Sequence, residues 1–146
     1  MAQSLSRIAR VVVPAGRGDL VARVIDHTPP RMLFFENNVL SARAVMTEAE
    51  GNAGEGLDLY IQAAAAWATY GYPLEQAHAL LGAARCSLAL DLPARAMVLE
   101  ARGILTRLGA APVLAETDHL VELTTAEIQP RSRTRIPDSR FLGGTR

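Results

Sequence analysis

Residues 52–109 read NAGEGLDLYIQAAAAWATYGYPLEQAHALLGAARCSLALDLPARAMVLEARGILTRLG, and this stretch decides the fold. Gly56, Tyr60 and Ala63 stand in its first half, and forty positions on stand Ala96, Glu100 and Gly103, with Gly71, Tyr72 and Pro73 as the hinge between the halves. A small residue, a larger one four on and a small one three further share one helix face, a packing pattern rather than a catalytic one. Each helix pair buries one face against its own partner and the other against the next pair, so repetition at a fixed period is itself the fold signal. Close backbone approach explains the small residues. A side chain larger than alanine at Gly103 or Ala63 is expected to push its helix away, at a cost of about 1–3 kcal/mol.

Outward from this core the text stays helical. Asn52 with Glu55 three residues later reads as a capping box, and Gly71 falls in the left-handed cap position. Pro73 opens the next helix, with Leu74, Ala77, Leu81, Ala84 and Leu88 at spacings of three and four. Asp91-Leu92-Pro93 turns the chain into a helix that ends at Gly109, and Pro112 opens another running to about Ala126. Upstream, Arg31–Glu50 carries Phe35, Val39, Ala42, Met46 and Ala49 on one stripe, after a break at Thr28-Pro29-Pro30. Two shorter helices, 2–13 and 18–27, precede it. Loops of two to five residues make neighbouring helices antiparallel.

The 146 residues suffice for one domain with its own core. Residues 1–127 form the expected helical repeat domain. Residues 128–146, with Pro130, Pro137, Gly143, Gly144 and five arginines, hold too little apolar surface to offset ordering and are expected to be a disordered basic tail. Cys86 is the single cysteine and has no intramolecular partner, which fits a reducing, cytoplasmic location. No apolar run is long enough for a membrane span. All fifteen basic residues are arginine. Residues 32–127 hold five arginines against three aspartates and nine glutamates, a net of −7, whereas residues 1–23 carry +3 and residues 129–146 carry +4. An acidic body argues against nucleic-acid binding by the repeat domain.

Chemical motifs are sparse. His27, His78 and His119 with Cys86 lack metal-ligand spacing, and neither HExxH nor CxxC occurs, so no metal or cofactor is expected. His27 is expected at its helix's C-terminal end, where the dipole favours a proton donor. Glu116, His119 and Glu122 share a helix face that reads as solvated rather than catalytic. No nucleophile elbow is present, and no catalytic residue is assigned. Tyr60, Trp67, Tyr70 and Tyr72 read as a core aromatic group, with a peptide-binding patch as the functional alternative.

Glu50-Gly51-Asn52 followed by Gly56, Tyr60 and Ala63, and Leu81-Gly82 followed by Ala96 and Gly103, resemble degenerate tetratricopeptide (TPR) repeats. The forty-residue period exceeds the family's ~34 residues. The run from Tyr72 to Cys86 and that from Leu99 to Ala110 are similar to the C-terminal helical arrays of bacterial regulatory ATPases of the LuxR and MalT type and of ATPase-linked adenylate or guanylate cyclases. The resemblance spans about residues 31–122. It implies an all-α, right-handed TPR-like α-solenoid of about three antiparallel helix pairs plus a closing helix. A phosphate-binding GxxxxGK[ST] loop cannot occur in a chain without lysine, and cyclase segments are absent. What remains resembles the sensor array alone.

The resemblance also implies that the first helix of each pair lines a concave face. With Ala42 and Gly82 as equivalent small positions, the lining residues are Glu36, Val39, Arg43, Met46 and Thr47, then Gln76, Ala79, Ala83, Cys86 and Ser87. The expected function is a non-catalytic protein–protein interaction or sensor module of a bacterial regulatory system, taking a protein or peptide partner there, with self-association left open. The alternative is a C-terminal fragment of an ATP-binding LuxR-type transcriptional regulator or nucleotide cyclase whose catalytic parts lie elsewhere.

Overall fold

A computed structural model describes residues 5–27 and 33–126, all of whose regular structure is helical. The elements are α1 (Leu5–Val12), α2 (Gly18–His27), α3 (Leu33–Ala49), α4 (Ala53–Tyr70), α5 (Pro73–Ala89), α6 (Arg95–Leu108) and α7 (Ala111–Ala126). The basic-tail expectation for 128–146, the 2–4 end of the first helix and the Thr28-Pro29-Pro30 break lie outside the described residues. No described helix is long and apolar enough to cross a membrane.

Local chemistry sets the boundaries. The Asn52 side chain accepts the Glu55 N–H at 3.4 Å and donates to the Glu55 carboxylate at 2.8 Å, which starts α4. Gly71 stops it at φ 81°, its N–H turned back onto Trp67 and Ala68 carbonyls. Pro73 then occupies the first turn of α5, where a missing N–H costs nothing. Gly109 ends α6 at φ 65°. His27 closes α2 with its Nδ1 2.8 Å from the Arg23 carbonyl oxygen.

Each helix from α3 on packs against the next in sequence, as α1 does against α2. Beyond that, α1 touches α3, α3 touches α5 and α5 touches α7, whereas α2, α4 and α6 do not touch one another among the described residues. The odd-numbered helices therefore form a contiguous layer. In its middle, α5 is buried nearly all round: Ala77, Ala79, Leu80, Leu81, Ala83, Ala84, Cys86 and Ser87 are all core. Alanine dominates because α3, α4 and α6 all crowd this one helix.

The α3–α4 and α5–α6 pairs share a turn position but differ in register. Gly51 (φ 81°) and Asp91 (φ 55°) occupy the same left-handed turn forty residues apart. The second helices do not keep that spacing. Gly56, Tyr60, Ala63 and Trp67 are buried on α4, and their counterparts are Ala94, Val98, Ala101 and Leu105, each 38 residues on and each buried. The caps Gly71 and Gly109 share that spacing. Ala96 and Glu100 are exposed and Gly103 is half-buried. The Asp91-Leu92-Pro93 turn gives α6 a later start than α4 has, 14 residues against 18.

Gly103 is consequently not a point of close approach. A Cβ there would meet only the Arg107 guanidinium at 3.7 Å. The close approaches are at Gly82, where a Cβ would overlap the Tyr60 ring, and at Gly56, where it would lie 3.2 Å from Cys86 Sγ. The aromatic group also differs from expectation. Trp67, Tyr70 and Tyr72 cluster with Phe34, with ring centroids 5.5–6.3 Å apart, while Tyr60 stands apart against Gly82. Trp67 is the buried member, its Nε1–H donating to Ser41 Oγ at 2.8 Å. Tyr70 and Tyr72 are exposed.

Candidate functional site

The odd-numbered helices enclose a groove of ≈ 610 Å³. Arg10, Val13 and Pro14 form its α1 side; Ser41, Val45, Glu48 and Ala49 come from α3; Tyr60 comes from α4; His78, Ala79 and Arg85 come from α5; and Glu116 comes from α7. A smaller hollow of ≈ 290 Å³ shares Val13 and Ala49 and adds Ala22, Met46 and Glu50 among its walls. The larger volume falls in the roughly 300–1,000 Å³ range of sites that hold small ligands or anchoring side chains.

From α5 the groove takes the polar side chains of His78 and Arg85. Buried Glu75 and Gly82 share their helix face, the four following at spacings of three, four and three, without lining the groove themselves. At one end Arg10 donates to both oxygens of Glu75, at 2.8 and 3.0 Å. The Ser6 hydroxyl lies 3.1 Å from the same carboxylate, and Ser6 N–H donates to Asn38 Oδ1 at 3.3 Å. Burial pushes the Glu75 carboxyl up, but the Arg10 hydrogen bonds and charge outweigh it and hold the group below the usual range.

At the other end Arg85 grips Glu48 with Nε at 2.7 Å and Nη2 at 3.0 Å, and donates Nη1 to Glu116 at 2.9 Å. Tyr60 donates its hydroxyl to Glu48 at 2.5 Å. Burial again works against the Glu48 carboxylate, and Arg85 with Tyr60 overcomes it, so its pKa is lowered. Burial and the Glu48 hydrogen bond move Tyr60 far upward. Arg85 also rises, because the Glu48 bonds exceed the burial penalty.

His78 sits between these clusters. Burial, then the positive charge of Arg10, pull it down to about 4, with Glu75 pushing weakly the other way and Arg85 and Arg7 adding to the depression. Its imidazole is therefore neutral near pH 7. It is the one polar side chain of the groove wall without a hydrogen bond to the described protein. With Glu48 held ionised by Arg85, Tyr60 and Arg85 held protonated beside it and His78 neutral, the groove is equipped to hold hydrogen-bonding and charged groups.

Of the ten lining residues expected from the sequence, Ala79 lies in the groove and Met46 in the adjoining hollow. Glu36 and Arg43 are exposed, and Val39, Thr47 and Gln76 are half-buried, on neither cavity wall. Gln76 points toward α6, donating to Glu100 at 3.3 Å. Ala83, Cys86 and Ser87 are interior, with Cys86 packed on Gly56 and its thiol pushed up to about 11, mainly by burial. The groove face is turned by about one residue from the expected one: positions one before and three after Ala42, Ser41 and Val45, open into it. Of the α7 carboxylate–imidazole face, Glu116 joins the groove, while His119 and Glu122 are exposed. One sequence signal for the missed residues existed: Glu75, His78 and Arg85 are polar residues on the buried stripe of an alanine-rich helix.

No known protein family, curated protein or solved structure matches the chain.

Proposed function

We propose that the chain is a non-catalytic interaction module, a short right-handed α-solenoid of TPR type in which three helix pairs and a closing helix present one groove to a protein partner. The supporting observation is that the groove wall draws on successive first helices, α1, α3, α5 and α7, with Tyr60 added from α4, rather than on one pair. A surface composed in that way grows with the repeat and suits an extended polypeptide segment. Its ion pairs are internally matched, which holds long side chains in fixed positions before a partner arrives. A role in a bacterial regulatory system is the setting in which such arrays serve as sensors.

Ala49 provides the test. It is exposed and lines both cavities, so a tryptophan there fills the groove without entering the core. A partner recovered with the full chain from cells of its source organism should be lost with Ala49→Trp at unchanged thermal stability. Equal recovery by both proteins would sink the groove as the binding surface.

A further inference from the structure

Helices α3, α5 and α7 end on one side of the molecule. Ser41 and Glu48 of α3 meet Trp67 and Tyr60 of α4, Gly56 and Tyr60 meet Cys86 and Gly82 of α5, and Arg95 and Arg102 of α6 meet Thr125 and Asp118 of α7, so each of these pairs is antiparallel. The short turn 90–94 folds α6 back along α5 in the same way. The last turn of α7 therefore lies on the side where α3 ends at Ala49, and there the groove adjoins the smaller hollow. Val13, Ala22, Met46 and Ala49 give that hollow apolar walls, and Asp19 and Glu50 are its exposed carboxylates. Together the two cavities are lined by Arg10 and Arg85 against Asp19, Glu48, Glu50 and Glu116, a net charge of 2 − 4 = −2. The pairing of Arg10 with Glu75 and of Asp19 with Arg17 leaves that sum unchanged. Glu50 makes no side-chain hydrogen bond or ion pair among the described residues, and Glu116 makes one, to Arg85.

We propose that the occupant of this hollow is the chain's own segment 129–146, docked in cis with Phe141 and Leu142 against the apolar walls and its arginines on Glu50 and Glu116. The segment follows α7 in sequence, so it sets out from the side of the molecule that holds the hollow. It carries five arginines for a net charge of +4, and its apolar residues are Ile136, Phe141 and Leu142. Charge and hydrophobicity thus both complement the site. Reach is ample. Phe141 stands fifteen residues past Ala126, up to about 50 Å of extended chain, whereas crossing from α7 over α5 to α3 and the hollow takes two to three helix spacings, about 30 Å. Because the segment is tethered to its site at an effective concentration on the order of millimolar, weak contacts suffice to seat it. Ala49 lines both cavities, so a segment seated in the hollow also closes the neighbouring end of the groove. The docking stands on the hollow itself; that it withholds the groove from a partner rests on the groove being the partner-binding surface.

The chain has no lysine, so Arg140→Lys in the full chain supplies its only side-chain amine. Zero-length carbodiimide coupling with peptide mass mapping should join position 140 to Glu50, Asp19 or Glu116 of the same chain, at roughly five-fold or more the yield at Glu36 and Asp58, exposed near the start of α3 and on α4. Adding Phe141→Ser and Leu142→Ser should cut that coupling about ten-fold at unchanged Tm, through loss of the apolar anchor. Coupling spread over all exposed carboxylates, coupling indifferent to the two serines, or products that join two chains would each overturn the docking in cis. Where a partner is recovered, Phe141→Ser with Leu142→Ser should raise its recovery about three-fold or more, and unchanged recovery would overturn the closing of the groove. The two readings fail separately. Partner recovery untouched by Ala49→Trp removes the groove reading and leaves the coupling map standing. A map without Glu50, Asp19 or Glu116, beside a partner lost on Ala49→Trp, removes the docked segment alone.

Discussion

The ring of Tyr60 lies directly over Gly82, so that α4 and α5 meet with no side chain between ring and backbone. The contact places the Tyr60 hydroxyl on Glu48 of α3, linking three helices through one residue. Gly82→Ala should therefore destabilise the fold although alanine is the better helix former by about 1 kcal/mol. The overlap should cost about 1–3 kcal/mol, leaving a net loss on chemical denaturation. A Gly82→Ala protein as stable as the parent would show that the ring moves aside freely.

Gly103 should respond in the opposite sense. With only the Arg107 guanidinium tip 3.7 Å from a new Cβ, Gly103→Ala gains helix propensity and meets ordinary contact distance. A rise of about 0.5–1 kcal/mol is expected, read as a higher Tm. A fall in Tm would restore the close-packing role that the repeat suggests.

Removing Arg85 leaves Glu48 and Glu116 without their shared cation. Both partners of the Arg85–Glu48 pair keep some solvent access, 38% and 26% for the side chains. Arg85→Met should therefore cost about 1–3 kcal/mol, below the full penalty of a sealed pair. Glu116→Gln, at the half-exposed rim, should cost less than about 0.5 kcal/mol. A double-mutant cycle between positions 48 and 85 measures the coupling directly, and near-zero coupling would mark the bidentate pair as energetically idle.

Acid should weaken the fold in a window that His78 sets. Its proton affinity is lowered in the folded state, to about 4 from an ordinary value near 6.5. The unfolded chain thus takes up a proton there before the folded one does. The contribution of neutral His78 is complete above about pH 6.5 and is lost as pH falls toward about 4, on the order of 1–3 kcal/mol. Glu48 and Glu75, both lowered on folding, add a further loss below the ordinary carboxylate range. His78→Phe should flatten the upper part of the acid limb, between about pH 6.5 and 4.5, in stability measured against pH.

Helix existence and most helix ends were legible in the sequence because punctuation there is local: Asn52, Gly71, Pro73 and Gly109 act through their own backbone. The site was less legible because it depends on rotation about helix axes. A forty-residue echo places Ala96 and Glu100 on α6's buried face, yet the turn at Asp91-Leu92-Pro93 changes the register to 38 and exposes them. On α3, a turn of about 100° separates Met46 from Val45, which places Val45 in the groove and Met46 in the hollow beside it. Pairings such as Arg10–Glu75 and Arg85–Glu48 join residues 65 and 37 positions apart, and no local pattern announces them.

The chain has one cysteine and one tryptophan, and both are buried where α4 meets its neighbours, Cys86 against Gly56 and Trp67 against Ser41. A thiol reagent reaches Cys86 only when α4 and α5 part, and the indole reports when α4 leaves α3. The molecule thus carries two native reporters on either side of a single helix, and comparing labelling rate with fluorescence shows whether α4 lets go of both neighbours together or of one at a time.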